Sequence, residues 1–218
     1  MSGLGPPPTG IPGFIVVEGP EGAGKSTLVR WLTARLVAER LQVVAVREPG
    51  GTPVAEAARK VVLTFPHAMA PAAELFLMLA ARADLVERVM RPALEAGHIV
   101  VADRYTLSTL AYQVAGRGLP RAEVEAAIQV ATGGLVPDKT LVLDVPVEVG
   151  RARQRRARKD RDRFEREGEE FHQRVRREYL AARGPGVVHV DASQPRDTVQ
   201  ELVWRELMAS AVPTNRGV

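Results

Sequence analysis

Gly19 and Gly24 stand five positions apart, and Lys25, Ser26 and Thr27 follow at once. Pro20, Glu21, Gly22 and Ala23 fill the interval. This is the spacing of a phosphate-binding loop. Glycine lets the backbone turn tightly, so that its N–H groups approach phosphate oxygens closely. A helix starting at the lysine adds partial positive charge aimed at the same anion. Lys25 is then the group that reaches the outer phosphates, and Ser26 supplies a hydroxyl ligand for Mg²⁺. The pattern predicts a nucleoside triphosphate, ATP or GTP, and leaves its use open.

Other residues bear on that use. Asp103-Arg104-Tyr105 follows the apolar run Ile99-Val100-Val101-Ala102. A carboxylate at the end of such a strand sits where this class of protein holds Mg²⁺, often through water, and Arg104 matches the geometry of a second phosphate. Thr109, Tyr112 and Gln113 share one face if they are helical, offering a hydroxyl, a ring and an amide suited to a nucleobase and sugar. Ser108 precedes them. Arg47-Glu48-Pro49-Gly50-Gly51-Thr52 reads as a turn with close backbone approach and a candidate cis bond at Pro49. Met78 and Arg82 are one helical turn apart, placed to pack on a ring and to meet a base carbonyl. Residues 151–163, RARQRRARKDRDR, carry almost nothing apolar beyond alanine and are expected to be exposed. The run reads as a solvated helix face, as a lid that brings arginines to a transferring phosphoryl group, or as a nucleic-acid patch.

Short apolar runs supply the elements that must position these groups. Strands are expected at 14–18, 42–47, 99–103, 140–144 and 187–191, each rich in Val, Ile or Leu, as strands covered on both faces are. Helices are expected at 26–40, 54–63, 72–95, 121–132, 147–156, 169–183 and 198–208. Alternation of this kind implies a parallel sheet in a three-layer α/β fold, with ligands beyond the carboxyl ends of the strands. Asp103 and Asp144 then share a rim with the loop.

With 218 residues and 45% hydrophobic residues, the chain is expected to form one domain over 13–210, with a flexible leader over 1–12 and a loose tail over 211–218. No apolar run approaches a membrane span, and the leader lacks the charged start of a signal peptide. Absence of cysteine excludes disulfides, zinc–thiolate sites and thiol catalysis, and fits a cytoplasmic protein. A net charge of +4 suits either nucleic acid or a site that neutralises several small-ligand phosphates. Aromatics are missing from 151–163 until Phe164, which weakens the nucleic-acid reading.

Taken in order, the series EGPEGAGKST, REPGGT, AAR at 80–82, DRY with STLAYQ, GRG at 116–118, LDV and DRFE resembles the thymidylate kinase family from Phe14 to about Met208. The resemblance implies a P-loop NTPase fold with a five-stranded parallel sheet in the order 2-3-1-4-5. It also implies a homodimer and the Mg²⁺-dependent reaction of ATP with dTMP to ADP and dTDP, with no nucleic-acid or membrane partner. On this reading Gly19 to Thr27 hold ATP, and Ser26 with Asp103 holds the metal. Glu21 reaches the dTMP sugar, and Arg104 with Arg47 clamps the dTMP phosphate. Glu48, Pro49 and Gly51 line the same side. Thr109, Gln113 and Arg82 read thymine, and Tyr112 crowds the ribose 2′ position. The loop carries no arginine, which resembles members whose lid, here about 151–166, supplies it; the candidates are Arg153, Arg155, Arg156 and Arg158. Met78 stands where relatives usually carry an aromatic, which implies relaxed base selection. The rival readings are another nucleoside monophosphate kinase and a nucleic-acid-binding P-loop ATPase. A GTPase switch would need an Asn-Lys-x-Asp motif, and Pro137-Asp138-Lys139 does not supply it.

Overall fold

The computed structural model describes residues 10–156 and 162–209. Five strands, β1 (Phe14–Glu18), β2 (Val43–Arg47), β3 (Ile99–Asp103), β4 (Lys139–Asp144) and β5 (Val187–Asp191), form one parallel sheet in the order β2-β3-β1-β4-β5. Side chains alternate across it, so β1 feeds two cores. Ile15 and Val17 pack with Leu28, Leu32, Leu143 and Val203 on one side. Phe14 and Val16 pack with Leu85, Met90 and Tyr105 on the other. Burial on both faces explains why β1, β3 and β4 read as continuous apolar runs, while the edge strands β2 and β5 are only partly buried. The sheet matches the expected class and order.

The connections are α1 (Lys25–Ala38), α2 (Pro53–Thr64), α3 (Pro71–Leu85), α4 (Arg91–Glu95), α5 (Thr106–Thr109), α6 (Arg121–Thr132), α7 (Val147–Arg156), α8 (Glu169–Ala181) and α9 (Arg196–Ala209). The single helix expected over 72–95 is instead α3, a π-helical stretch Val86–Met90, and α4. Pro92 has no N–H and would clash with the preceding turn, and the wider turn, in which Arg91 N–H reaches Val86 O, accommodates it. A second π-helical stretch, Leu110–Gly116, extends α5. Helix α1 stops two residues early because Arg40 turns left-handed (φ 61°). The α8 helix stops at Ala181, ahead of Gly184-Pro185-Gly186.

Register fixes the rim. Val17 and Arg47 both lie beside Asp103, and Asp144 lies beside Asp191. The loop from β1 to α1 therefore emerges at the middle of the sheet, between the ends of β3 and β4.

Candidate active site

The β1–α1 loop is shaped by contacts that forbid side chains. A Cβ on Gly22 (φ +74°) would lie 2.3 Å from Gly150 O at the start of α7, so only glycine lets loop and helix meet there. Lys25, buried in the first turn of α1, donates to Pro20 O at 2.8 Å. Burial and then Arg104 push its ammonium down to about 8, against the pull of Glu21, Asp103 and Glu18. Ser26 Oγ donates to Asp103 Oδ2 at 2.5 Å. A hydroxyl and a carboxylate at this junction are the hard oxygen donors that suit Mg²⁺.

Arg104 has the most constrained side chain on the rim. Its backbone is left-handed (φ 76°), a sparsely populated conformation for a residue with a side chain. The guanidinium donates to Glu21 Oε1 at 2.6 Å and to Tyr179 Oη at 3.0 Å, with longer bonds to Gly19 O, Ser108 Oγ and Tyr112 Oη. Burial pushes the Glu21 carboxyl up, but Arg104, Lys25 and the Tyr112 hydroxyl outweigh it and hold it at about 2. Beneath them Glu18, fully buried, accepts from Ser108 Oγ, Ser108 N–H and Tyr105 N–H. Burial raises its pKa, opposed by those bonds and by Arg104.

These groups border one cleft of about 290 Å³. Its lining joins Glu21, Gly22, Gly24, Lys25, Ser26, Thr27, Asp103 and Arg104 from the loop, α1 and the end of β3 with Arg47, Glu48, Pro49, Met78 and Tyr112 from other elements. The Glu48–Pro49 bond is cis. The cleft also exposes residues that the sequence reading missed: Arg59 and Leu63, one turn apart on α2, and Asp162, Phe164 and Glu165 beyond α7. Arg59 donates to Pro49 O, and burial followed by repulsion from Arg47 depresses its pKa. Three arginines, at 47, 59 and 104, border this one cleft, Arg47 paired with Glu56 and Arg104 with Glu21.

Three of the expected base readers stand apart from that cleft. Arg82, 1% exposed, donates to Glu48 Oε2, Thr109 Oγ1 and Tyr105 O. Gln113 donates to Glu74 Oε1. None of Arg82, Thr109 and Gln113 lines the cleft, nor does Gly51, whose N–H is held by Glu56. Two buried acceptors, Glu48 Oε1 and Gln113 Oε1, have no hydrogen-bond partner among the described residues. Burial pushes Glu48 up against the pull of Arg82.

The arginine run departs from its expected exposure. Arg153 is half-buried and donates to Ala192 O at 2.9 Å and Gly22 O, and Arg151 donates to Glu167 O. Arg163 donates to Val62 O and pairs with Glu74. Guanidinium groups find backbone carbonyls while their stems lie on protein, so a run without apolar residues still docks. Arg155 and Arg156 are exposed as expected, and Arg158 lies outside the described residues. Asp144 shares the rim but is held by both nitrogens of an Arg176 fork at 2.7 and 2.8 Å. A second cleft of about 490 Å³ adjoins the loop, lined by Gly22, Gly24, Thr27, Arg153, Arg196 and Gln200 among others. Nothing in the local pattern of α9 signalled that role.

The model of the family described as thymidylate kinase matches residues 17–203. The chain belongs to the thymidylate kinase family. Relatives named thymidylate kinase include one from Pseudomonas fluorescens strain Pf-5, 51% identical over 86% of this chain and 91% of its own length. Another, from Pseudomonas putida strain W619, is 50% identical over 87% and 93%. A third, from Thermomicrobium roseum, is 48% identical over 88% and 92%. Its activity is accordingly that of an ATP-dependent nucleoside monophosphate kinase, a phosphotransferase. Among the described residues no helix is long and apolar enough to cross a membrane.

Proposed function

We propose that this chain transfers the γ-phosphoryl group of ATP to the phosphate of dTMP, with both nucleotides meeting at Arg104. The observation that carries this is the convergence of Lys25, Ser26, Asp103 and Arg104 with Arg47 and Arg59 on a single cleft. The acceptor is itself an anion, so no general base is needed; the barrier lies in bringing two negative groups together in line. Lys25 and the loop amides hold the β and γ phosphates. Ser26 and Asp103 would hold Mg²⁺, which would supply positive charge against the ATP phosphates. A phosphate beside Lys25 restores the charge that burial disfavours.

Arg104, Arg47 and Arg59 hold the dTMP phosphate. Glu21, ionised and fixed by Arg104 and Tyr112, accepts from the sugar hydroxyl. Tyr112 closes the space where a ribose 2′-hydroxyl would sit. Arg82, Thr109 and Gln113 form a buried polar bed outside the cleft lining, in which Gln113 Oε1 has no hydrogen-bond partner among the described residues. The second cleft, beside Arg153 and Arg196, receives the ATP base and sugar. Arg153 joins loop and lid, while Arg155, Arg156 and Arg158 remain candidates for the transferring group.

A homodimer is supported by exposed valines on a shallow face that also carries Asp84, Glu87, Arg88 and Arg91. Val54 on α2 and Val130 on α6 are 52% and 85% exposed beside Ala80 and Ala83 of α3. Light scattering at the mass of two chains is the expected result. The assignment itself is tested by ADP release from Mg-ATP with dTMP, dUMP, CMP, AMP and GMP offered separately. Turnover with dTMP well ahead of the others supports it. Activity confined to another monophosphate keeps the chemistry and overturns the acceptor.

A further inference from the structure

The lining of the cleft contains a ring, Phe164, that no part of the proposed function uses. Met78, Leu63, Tyr112 and Phe164 are the larger apolar side chains lining it, and they belong to one packed cluster. A flat base needs a flat partner. Met78 is not one, and the Tyr112 ring carries the Arg104 guanidinium, 5.1 Å from its centroid. Phe164 has no polar atom and is held in orientation from several sides. Its ring meets Tyr112 edge-on, with centroids 5.4 Å apart at 83°. The Arg117 and Arg163 guanidinium groups each lie 5.5 Å from its centroid. Both arginines are fastened in turn. Arg163 pairs with the fully buried Glu74 of α3, and Arg117 bridges Glu74 and Glu167. Glu74 also accepts from Gln113. One buried carboxylate thus ties the segment carrying Phe164 to the α3 helix that carries Met78.

We propose that Phe164 is a specificity-determining residue, its ring packing on the pyrimidine nucleoside of the acceptor monophosphate. Glu74, Arg117 and Arg163 are positioning residues that hold it there. The proposal rests on the acceptor reading above. The ring offers packing and a π face but no hydrogen bond to a phosphate, so its loss affects acceptor binding and leaves the phosphate groups in place.

The test is steady-state kinetics with Mg-ATP and dTMP. Phe164→Leu is expected to raise the dTMP KM about tenfold, as loss of a base–aromatic contact does, with kcat and the ATP KM within about twofold. Adding Met78→Phe to that variant is expected to recover most of the loss, because it returns a ring to the same wall. Should Phe164→Leu fold poorly, Arg163→Gln loosens the strap without opening a cavity and is expected to raise the dTMP KM about threefold. An unchanged dTMP KM overturns the proposal. So does an equal rise for both substrates or a fall in kcat alone, as does failure of Met78→Phe to rescue. Wild-type turnover on dTMP in the same assay separates failure of this inference from failure of the acceptor reading.

Discussion

In one part of the cleft lining the groups that meet charge hang from backbone that cannot move far: a loop on β1, the first turn of α1, the last residue of β3. In the other part the walls are side chains from α2, α3, the π-helical stretch and the segment after α7, joined by Arg82–Glu48 and by Glu74 with its two arginines. The first arrangement is local and bound to main-chain geometry. The second is assembled from residues far apart in the chain. Damage should therefore look different in the two parts. Loss in the phosphate part removes chemistry from an intact fold, whereas loss in the nucleoside part removes packing and selection.

The largest effect expected is in the nucleoside part. Arg82→Ala leaves Glu48, Thr109 and the Tyr105 carbonyl without their donor and should cost about 3–5 kcal/mol in urea unfolding, the range for breaking a buried pair. A stability change below about 1 kcal/mol would erase the contrast. Next comes Lys25→Ala, for which kcat should fall about 10²–10³-fold or more while the unfolding midpoint barely moves. Turnover near wild type in that variant would refute the role of the loop.

A pH series sharpens the same point. Lys25 is held down to about 8 in the free protein, so its charge, and with it the attraction for ATP, is present below that pH and lost above it. The ATP kcat/KM, which reports free-enzyme groups, should fall about tenfold per pH unit above about 8. The dTMP kcat/KM measured at saturating ATP should fall less, because bound phosphate keeps the lysine charged. Equal falls would place the titration elsewhere. The smallest effect belongs to Met78→Phe, expected to raise the dTMP over dUMP preference a few-fold, since a single methyl is worth at most about 1–3 kcal/mol. An unchanged ratio would mean that position 78 does not face the base.

The same division governs what was legible in the sequence. The strands are short runs rich in Val, Ile or Leu, so their positions followed from pattern, whereas their order came from the family resemblance; Lys25, Ser26, Asp103 and Arg104 lie within two short segments. Phe164 sits at the edge of a charged run, and its site role depends on partners at 74 and 117 that no local pattern announces. Glu74 resembles an ordinary first-turn acid at the start of an apolar helix, yet it is fully buried because arginines from two distant segments reach it. Arg153 and Arg163 read as exposed because composition records a missing apolar face and says nothing of carbonyls within reach. The π-helical turns escaped because apolar periodicity does not resolve one residue in a turn.

The central claim is that this site delivers the γ-phosphoryl group of ATP to an anionic acceptor and not to water. Following γ-labelled ATP with and without dTMP, and separating the products, tests it most directly. The account predicts label in dTDP when dTMP is present and very little in inorganic phosphate when it is absent. Label reaching inorganic phosphate at the same rate in both reactions would contradict it.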